Sequence, residues 1–173
     1  MTFLVNHPPP LSGNNVSEKD IGWMQRALQL ADRAQQNNEV PIGALLVVDD
    51  ELISEAHNSP IAMNDPTAHA EILALRKGGE KLGNYRLLNA TLYVTLEPCL
   101  MCAGAMVHSR IKRLVFGAAD LKAGGVISQA NVLDLPFLNH RVTYEGGVLA
   151  ESCAHQLIQF FKNKRQMKEE KYK

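Results

Sequence analysis

The chain predicts a layered α/β domain in which a mixed sheet is covered by helices on both faces. Three observations carry that reading. Strand-like runs alternate with runs of helical period, each run has an ordinary globular length, and 173 residues with 46% hydrophobic content suffice for one buried core. In chain order, Ser17 followed by Asp20 resembles a capping box, and Ile21, Met24, Leu28 and Ala31 recur at helical spacing to about Gln36. The apolar run 41–48, an Asp49-Asp50 turn and the returning segment 51–56 make a hairpin. Asp65-Pro66 opens a helix that carries His69 and Glu71 and is closed by Gly78-Gly79. Thr91 to Leu96 reads as a strand from its Thr, Tyr and Val content, Pro98 starts a helix containing two cysteines, and Lys112 to Gly117 is the next strand. A last helix carries the pattern Cys153, Leu157, Phe160 and Phe161.

Residues 1–16 hold a short apolar run, no preceding basic residue and three consecutive prolines, so they read as a mobile tail, neither a secretory signal nor a membrane span. Residues 17–173 are expected to form a single domain ending in a basic C-terminal helix. No stretch approaches the ~18 apolar residues that a membrane helix needs, and the three cysteines give no disulfide framework. A cytoplasmic protein without membrane attachment is the expectation.

The chemistry concentrates in two short motifs. His69-Ala-Glu71 and, thirty positions after His69, Pro98-Cys99-Leu-Met-Cys102 together supply three zinc-type ligands and one carboxylate. A structural zinc site closes itself with four protein ligands, whereas a hydrolytic one leaves a position for water. Here His69, Cys99 and Cys102 are three. Cys153 lies far along the chain, and Glu97 sits on the turn before Pro98, where shaping that turn is the plainer role. Water bound to Zn2+ loses a proton near neutral pH instead of at ~15.7, and Glu71 is placed to relay it. Either motif alone is ambiguous, since a CxxC also serves redox pairs and zinc knuckles. Their combination points to a catalytic metal. Cys99 and Cys102 share a helix face at their spacing; His69 and Glu71 would not in a regular helix, so their geometry must depend on the helix's first turn.

Formal net charge is zero, but it is unevenly distributed. Through Leu75 there are three basic residues (Lys19, Arg26, Arg33) against ten acidic ones, and the remainder holds 15 basic and eight acidic, giving −7 and +7. Such asymmetry fits an anionic partner, or simply solvated helix faces. The C-terminal segment Phe160-Phe-Lys-Asn-Lys-Arg likewise fits either base stacking and phosphate contact or an amphipathic helix with its rings inward. His57, His108 and His140 read as ordinary hydrogen-bonded or exposed histidines, and Cys153 as core.

From about Ser17 to Arg165 the chain resembles the bacterial tRNA-specific adenosine deaminases of the zinc-dependent cytidine deaminase superfamily. The resemblance rests on Glu39-Val-Pro-Ile-Gly-Ala, Asn58, Asp65-Pro-Thr-Ala-His-Ala-Glu-Ile, Asn84-Tyr-Arg-Leu, Thr95-Leu-Glu-Pro-Cys, Met101-Cys-Ala-Gly-Ala-Met and His108-Ser-Arg-Ile. It implies a three-layer α/β/α cytidine-deaminase-like fold with a central mixed five-stranded sheet. It further implies hydrolytic deamination of adenosine to inosine at the wobble position of a tRNA anticodon loop, with one Zn2+ per subunit held by His69, Cys99 and Cys102 and with Glu71 as the catalytic proton shuttle. An already unpaired loop base suits such chemistry, because extruding it costs less than flipping it from a duplex. By the same resemblance Asn58, Val40 and Pro41 shape the nucleoside pocket, Ala68 offers a backbone amide beside the base, and Asp120 faces a neighbouring ribose 2′-hydroxyl. Lys122, Phe161, Lys164 and Arg165 are the implied RNA contacts, and a homodimer is the implied assembly, with Met101 to Met106 suited to a close helix contact. Ala119 stands where an arginine is expected, and Gly124 to Ser128 depart from the family's usual run. The competing readings are a free-base or mononucleotide deaminase of the same superfamily, acting on cytosine, guanine or dCMP, and a non-catalytic zinc-stabilised RNA-binding module.

Overall fold

A computed structural model describes residues 17–170; the expected tail at 1–16 and the last three residues lie outside the described residues. Helix α1 (Glu18–Gln36) begins with the anticipated capping box: the Ser17 hydroxyl accepts the Asp20 N–H while the Asp20 carboxylate accepts the Ser17 N–H. Strands β1 (Gly43–Val48) and β2 (Glu51–His57) form the hairpin. Asp49 and Asp50 both adopt positive φ, 49° and 63°, the left-handed pair that matches a two-residue turn to strand twist.

After a four-residue helix α2 (Pro60–Met63) come α3 (Ala70–Leu82), β3 (Thr91–Leu96), α4 (Leu100–Ser109), β4 (Arg113–Ala118), a 3₁₀ turn at Val132–Asp134, β5 (Thr143–Gly146) and α5 (Ala150–Glu170). The sheet order is β2-β1-β3-β4-β5. β1 is antiparallel to both β2 and β3, while β3, β4 and β5 run parallel, so the sheet is mixed and five-stranded, as the resemblance implies.

Alternation along the strands builds two cores. Ala44, Leu46, Leu92, Val94, Leu114 and Phe116 face α3 and α4, whereas Leu45, Val47, Tyr93 and Val115 face α1 and α5 with Cys153. Both faces of β1, β3 and β4 are therefore covered, which is why 43–48, 92–94 and 114–118 run apolar without alternation.

Three element boundaries differ from the sequence reading. Gly78-Gly79 do not close α3, which runs on to Leu82 and ends at Gly83 with φ 63°. Gly78 lacks a side chain for packing: a Cβ there would stand 2.5 Å from a methyl of Leu46. Asp65-Pro66 is a turn ahead of α3 and not its first turn, because the Asp65 carboxylate accepts the Thr67 N–H and hydroxyl at 2.7 Å each. Finally, α4 begins at Leu100, leaving Cys99 as its N-cap. Neither α2 nor β5 shows a legible period, being only four residues each.

Candidate active site

The site lies at the C-terminal end of β3, where the N-termini of α3 and α4 meet. His69 is the N-cap of α3, with extended backbone (φ −70°, ψ 150°), and Glu71 follows in the first turn. That break in helical geometry answers the spacing problem: with His69 outside the regular helix, residues two apart can turn toward one point. Cys99 caps α4 in the same way (φ −73°, ψ 173°) and Cys102 lies in its first turn. His69 Nδ1 stands 3.7 Å from Cys99 Sγ and 3.6 Å from Cys102 Sγ, and the three ligand atoms all lie within 4.8 Å of one another. One imidazole and two thiols in that arrangement can hold a metal ion.

The two thiols of the cluster are pushed in opposite directions. The Cys99 thiol is drawn down to about 4, first by hydrogen bonding with Cys102 and, against burial, by His69. The same bond with Cys99, reinforced by burial, pushes Cys102 upward. His69 is raised, chiefly by its bond to Cys99. Both thiols gain from the N–H groups of the α4 N-terminus. Glu71 is buried at 4% exposure, its carboxyl is pushed up by that burial, and its Oε2 has no hydrogen-bond partner. An unsatisfied carboxyl oxygen beside a ligand cluster is costly to stability and is what a proton carrier requires.

The residues anticipated for the pocket have roles in the fold. Asn58 is buried, and its Oδ1 accepts the Ala70 N–H at 3.3 Å, capping α3 from outside because the His69 side chain makes no such bond. Pro41 is buried and Val40 half-buried just before β1. The Ala68 N–H, expected to face a base, closes the turn onto the Asp65 carbonyl at 3.1 Å. Asp120 accepts the N–H groups of Lys122 and Ala123 at 2.9 and 3.2 Å, shaping its own loop. Glu97 is not in the metal cluster: its buried carboxylate is occupied by the 120–128 loop.

Of the residues expected at RNA, Lys122, Phe161 and Arg165 are exposed, and Phe161 packs edge-on against Phe160. Lys164 is half-buried, bonded to Asn38 and lying 5.4 Å over the Phe160 ring, so part of its capacity is used within the fold. His57 and His140 bond backbone carbonyls of Asn58 and Ile111, His108 is exposed, and Cys153 is buried.

Two residues near these segments had no role assigned from the sequence, although Glu39 opens the Glu39-Val-Pro-Ile-Gly-Ala motif. The buried Glu39 accepts the Ala62 N–H at 2.8 Å and thereby ties α2 to the segment holding Val40 and Pro41. Arg76 reaches Asp65 at 3.6 Å and Thr67 at 3.4 Å, bracing the turn that leads into His69. Asp-Pro-Thr is a recognisable turn signature that could have flagged the second; the first stands in a quoted motif, but no local pattern shows that it reaches Ala62.

The family model of MafB19-like deaminases matches residues 18–165. The tRNA-specific adenosine deaminase of Haemophilus influenzae is 54% identical over 153 residues, covering 88% of each chain. A solved structure from work on A-to-I editing by tRNA:A34 deaminases at the wobble position of transfer RNA is 43% identical, with TM-score 0.77 over 79% of this chain and 99% of that one. Guanine deaminase from Bacillus subtilis is more distant, 31% identical with TM-score 0.56 over 82% of this chain and 92% of that one. With its motifs converging on one ligand cluster and its similarity extending along nearly the whole chain, the protein belongs to the tRNA-specific adenosine deaminase family.

Proposed function

We propose that this protein hydrolyses adenosine to inosine at the wobble position of a tRNA anticodon, releasing ammonia. The observation that carries the reading is the buried Glu71 carboxyl, with an oxygen lacking a partner, beside the His69, Cys99 and Cys102 cluster. A non-catalytic zinc module needs no such carboxyl. The greater identity to tRNA-specific adenosine deaminase than to guanine deaminase, 54% against 31%, favours the tRNA substrate over a free base.

The donor set fits one zinc ion per subunit, held by His69, Cys99 and Cys102: two thiols beside one imidazole form the borderline-soft set that zinc prefers, and three protein ligands leave room for water. When bound, zinc supplies Lewis acidity that brings the pKa of water near neutrality. Glu71 then does the proton work. Its carboxylate takes a proton from the attacking water and delivers it to the adenine ring nitrogen; it then takes the water's second proton from the hydroxyl newly bonded to C6 and passes it to the amine, which leaves as ammonia while C6 becomes the carbonyl. Burial, which raises the Glu71 pKa, equips it to hold that proton between steps.

Asn58, Val40, Pro41 and Ala68 form the nucleoside pocket on this reading, Asp120 meets a neighbouring ribose, and Lys122, Phe161 and Arg165 follow the strand, with Lys164 contributing what its internal contacts leave. A homodimer completes the site. Exposed Ile61, Met63 and Leu100, at 66%, 52% and 63% exposure, flank the site in sequence and supply apolar surface for a second subunit. Among the described residues no helix is long and apolar enough to cross a membrane, and a cytoplasmic location follows from the tRNA substrate.

Incubating zinc-loaded protein with an anticodon stem-loop carrying adenosine at the wobble position, then analysing the product by mass, tests the reading. Inosine at that position alone is expected. No inosine, with ammonia released from guanine, cytosine or dCMP, would replace it with a small-molecule deaminase.

A further inference from the structure

The carboxylate of Glu97 accepts hydrogen bonds from five donors. Its Oε1 takes the N–H groups of Val126, Ile127 and Ser128 at 3.1, 2.8 and 2.9 Å; its Oε2 takes the Asp120 N–H at 3.0 Å and the Ser128 hydroxyl. Only 2% exposed, it is an internal anion in a nest of successive backbone amides. The fit extends to Gly124, where a Cβ would stand 2.4 Å from the carboxylate. The 120–128 loop is thus folded around the Glu97 carboxylate.

This arrangement couples two parts of the site. Glu97 ends the β3 segment that runs through Pro98 into Cys99, and its own N–H bonds Ala118 at the end of β4. The loop it gathers begins at Asp120 and displays exposed Leu121 and Lys122; it is pinned again where the Gly125 N–H meets the Pro98 carbonyl at 2.8 Å and Cys99 bridges Gly124. Without the carboxylate, four backbone N–H groups and a hydroxyl lose their acceptor at once.

We infer that Glu97 is a positioning residue for RNA: by folding the 120–128 loop around its carboxylate, it holds Asp120 and Lys122 in place beside the metal segment, setting substrate affinity more than the chemical step. The inference rests on the tRNA reading above. Glu97→Gln keeps the size but turns a donor toward donors; Ser128→Ala removes one hydroxyl bond and leaves the strand intact.

With the anticodon stem-loop as substrate, Glu97→Gln is expected to raise KM and the Kd from fluorescence anisotropy by about tenfold, while kcat changes less and one zinc per subunit is retained. Ser128→Ala moves both in the same direction by a smaller factor. Asp120→Ala, damaging in the wild-type background, adds little to Glu97→Gln because the two act through one loop. Unchanged KM and Kd in Ser128→Ala together with a Glu97→Gln protein that loses only melting temperature, or loses zinc, would overturn the inference. Should Glu97→Gln fail to fold, an unchanged Kd in Ser128→Ala would do so alone, and a raised one would support it. Wild-type protein that makes no inosine would instead remove the functional reading beneath it.

Discussion

Asp20 and Glu71 are both buried acids in the first turn of a helix, 2% and 4% exposed, and they are treated in opposite ways. Burial alone would raise Asp20, but Arg113, Tyr93 and Ser17 outweigh it and hold its carboxyl far below the usual range. Arg113 grips it bidentately at 2.7 and 3.1 Å, and the Tyr93 hydroxyl donates at 2.7 Å. Glu71 has no such set of partners: burial dominates and its pKa rises. The two lie at opposite ends of the parallel strands, since Arg113 pairs with Thr91 at the start of β3 and the metal cluster follows its last residue. Asp20 is satisfied and joins α1 to β3, β4 and, through Arg113 and Glu145, β5. Glu71 is left wanting. One end of the sheet saturates its buried carboxylate, and the other leaves an oxygen of its buried carboxyl without a partner.

The largest test of that contrast is Glu71→Gln. Deamination should fall by roughly 10²–10⁴-fold while metal content by atomic absorption stays constant. Thermal stability should hold or increase, because the substitution removes the need to bury a charge. Near-normal turnover would end the assigned role. Cys99→Ala should lose the metal outright, whereas Cys153→Ala, in the opposite core, should retain it; equal metal loss in both would mean the ligand set is wrong.

Asp20→Asn should act in reverse, costing about 3 kcal/mol in urea unfolding with kcat at saturating substrate nearly intact. A variant with full stability would show the network to be ornamental. The acid limb sharpens the same point. Because the native pKa of Asp20 lies below its unfolded value of about 3.9, the unfolded chain takes up the proton first as pH falls; the contribution is whole above about pH 5 and fades toward the native pKa. Wild-type stability should therefore decline below about pH 4 more steeply than that of Asp20→Asn, and parallel curves would assign the loss to other groups. The smallest effect belongs to the exposed C-terminal helix: Arg165→Ala should reduce the salt slope of RNA binding by about 0.7, and an unchanged slope would return Arg165 to the solvated surface.

How far these features are legible in the sequence depends on the range of the interaction. The Ser17–Asp20 capping box and the Asp49-Asp50 turn were readable because donor and acceptor lie within a few residues. The end of α3 is not legible, because Gly78 answers to Leu46 on a strand over thirty residues earlier, a requirement that no local pattern encodes. Glu97 reads from the sequence as shaping the turn before Pro98 and not as the centre of a loop, since its five donors lie 23 to 31 residues away. Asp20 reads from the sequence as a cap alone, because Tyr93 and Arg113, which converge on it, lie 73 and 93 residues along the chain.

The sequence by itself determined the ligand types, the carboxyl beside them and the order of most helices and strands, because metal affinity follows donor chemistry and element order follows local period. Tertiary structure alone decided that His69 and Cys99 would stand as extended N-caps of two converging helices, that Glu71 would be buried without a full set of partners, and that Glu97 and Asp20 would be saturated. The physical reason is solvation. Whether a carboxyl is stabilised or left reactive depends on which distant donors displace its water, and only the folded chain brings those donors to it.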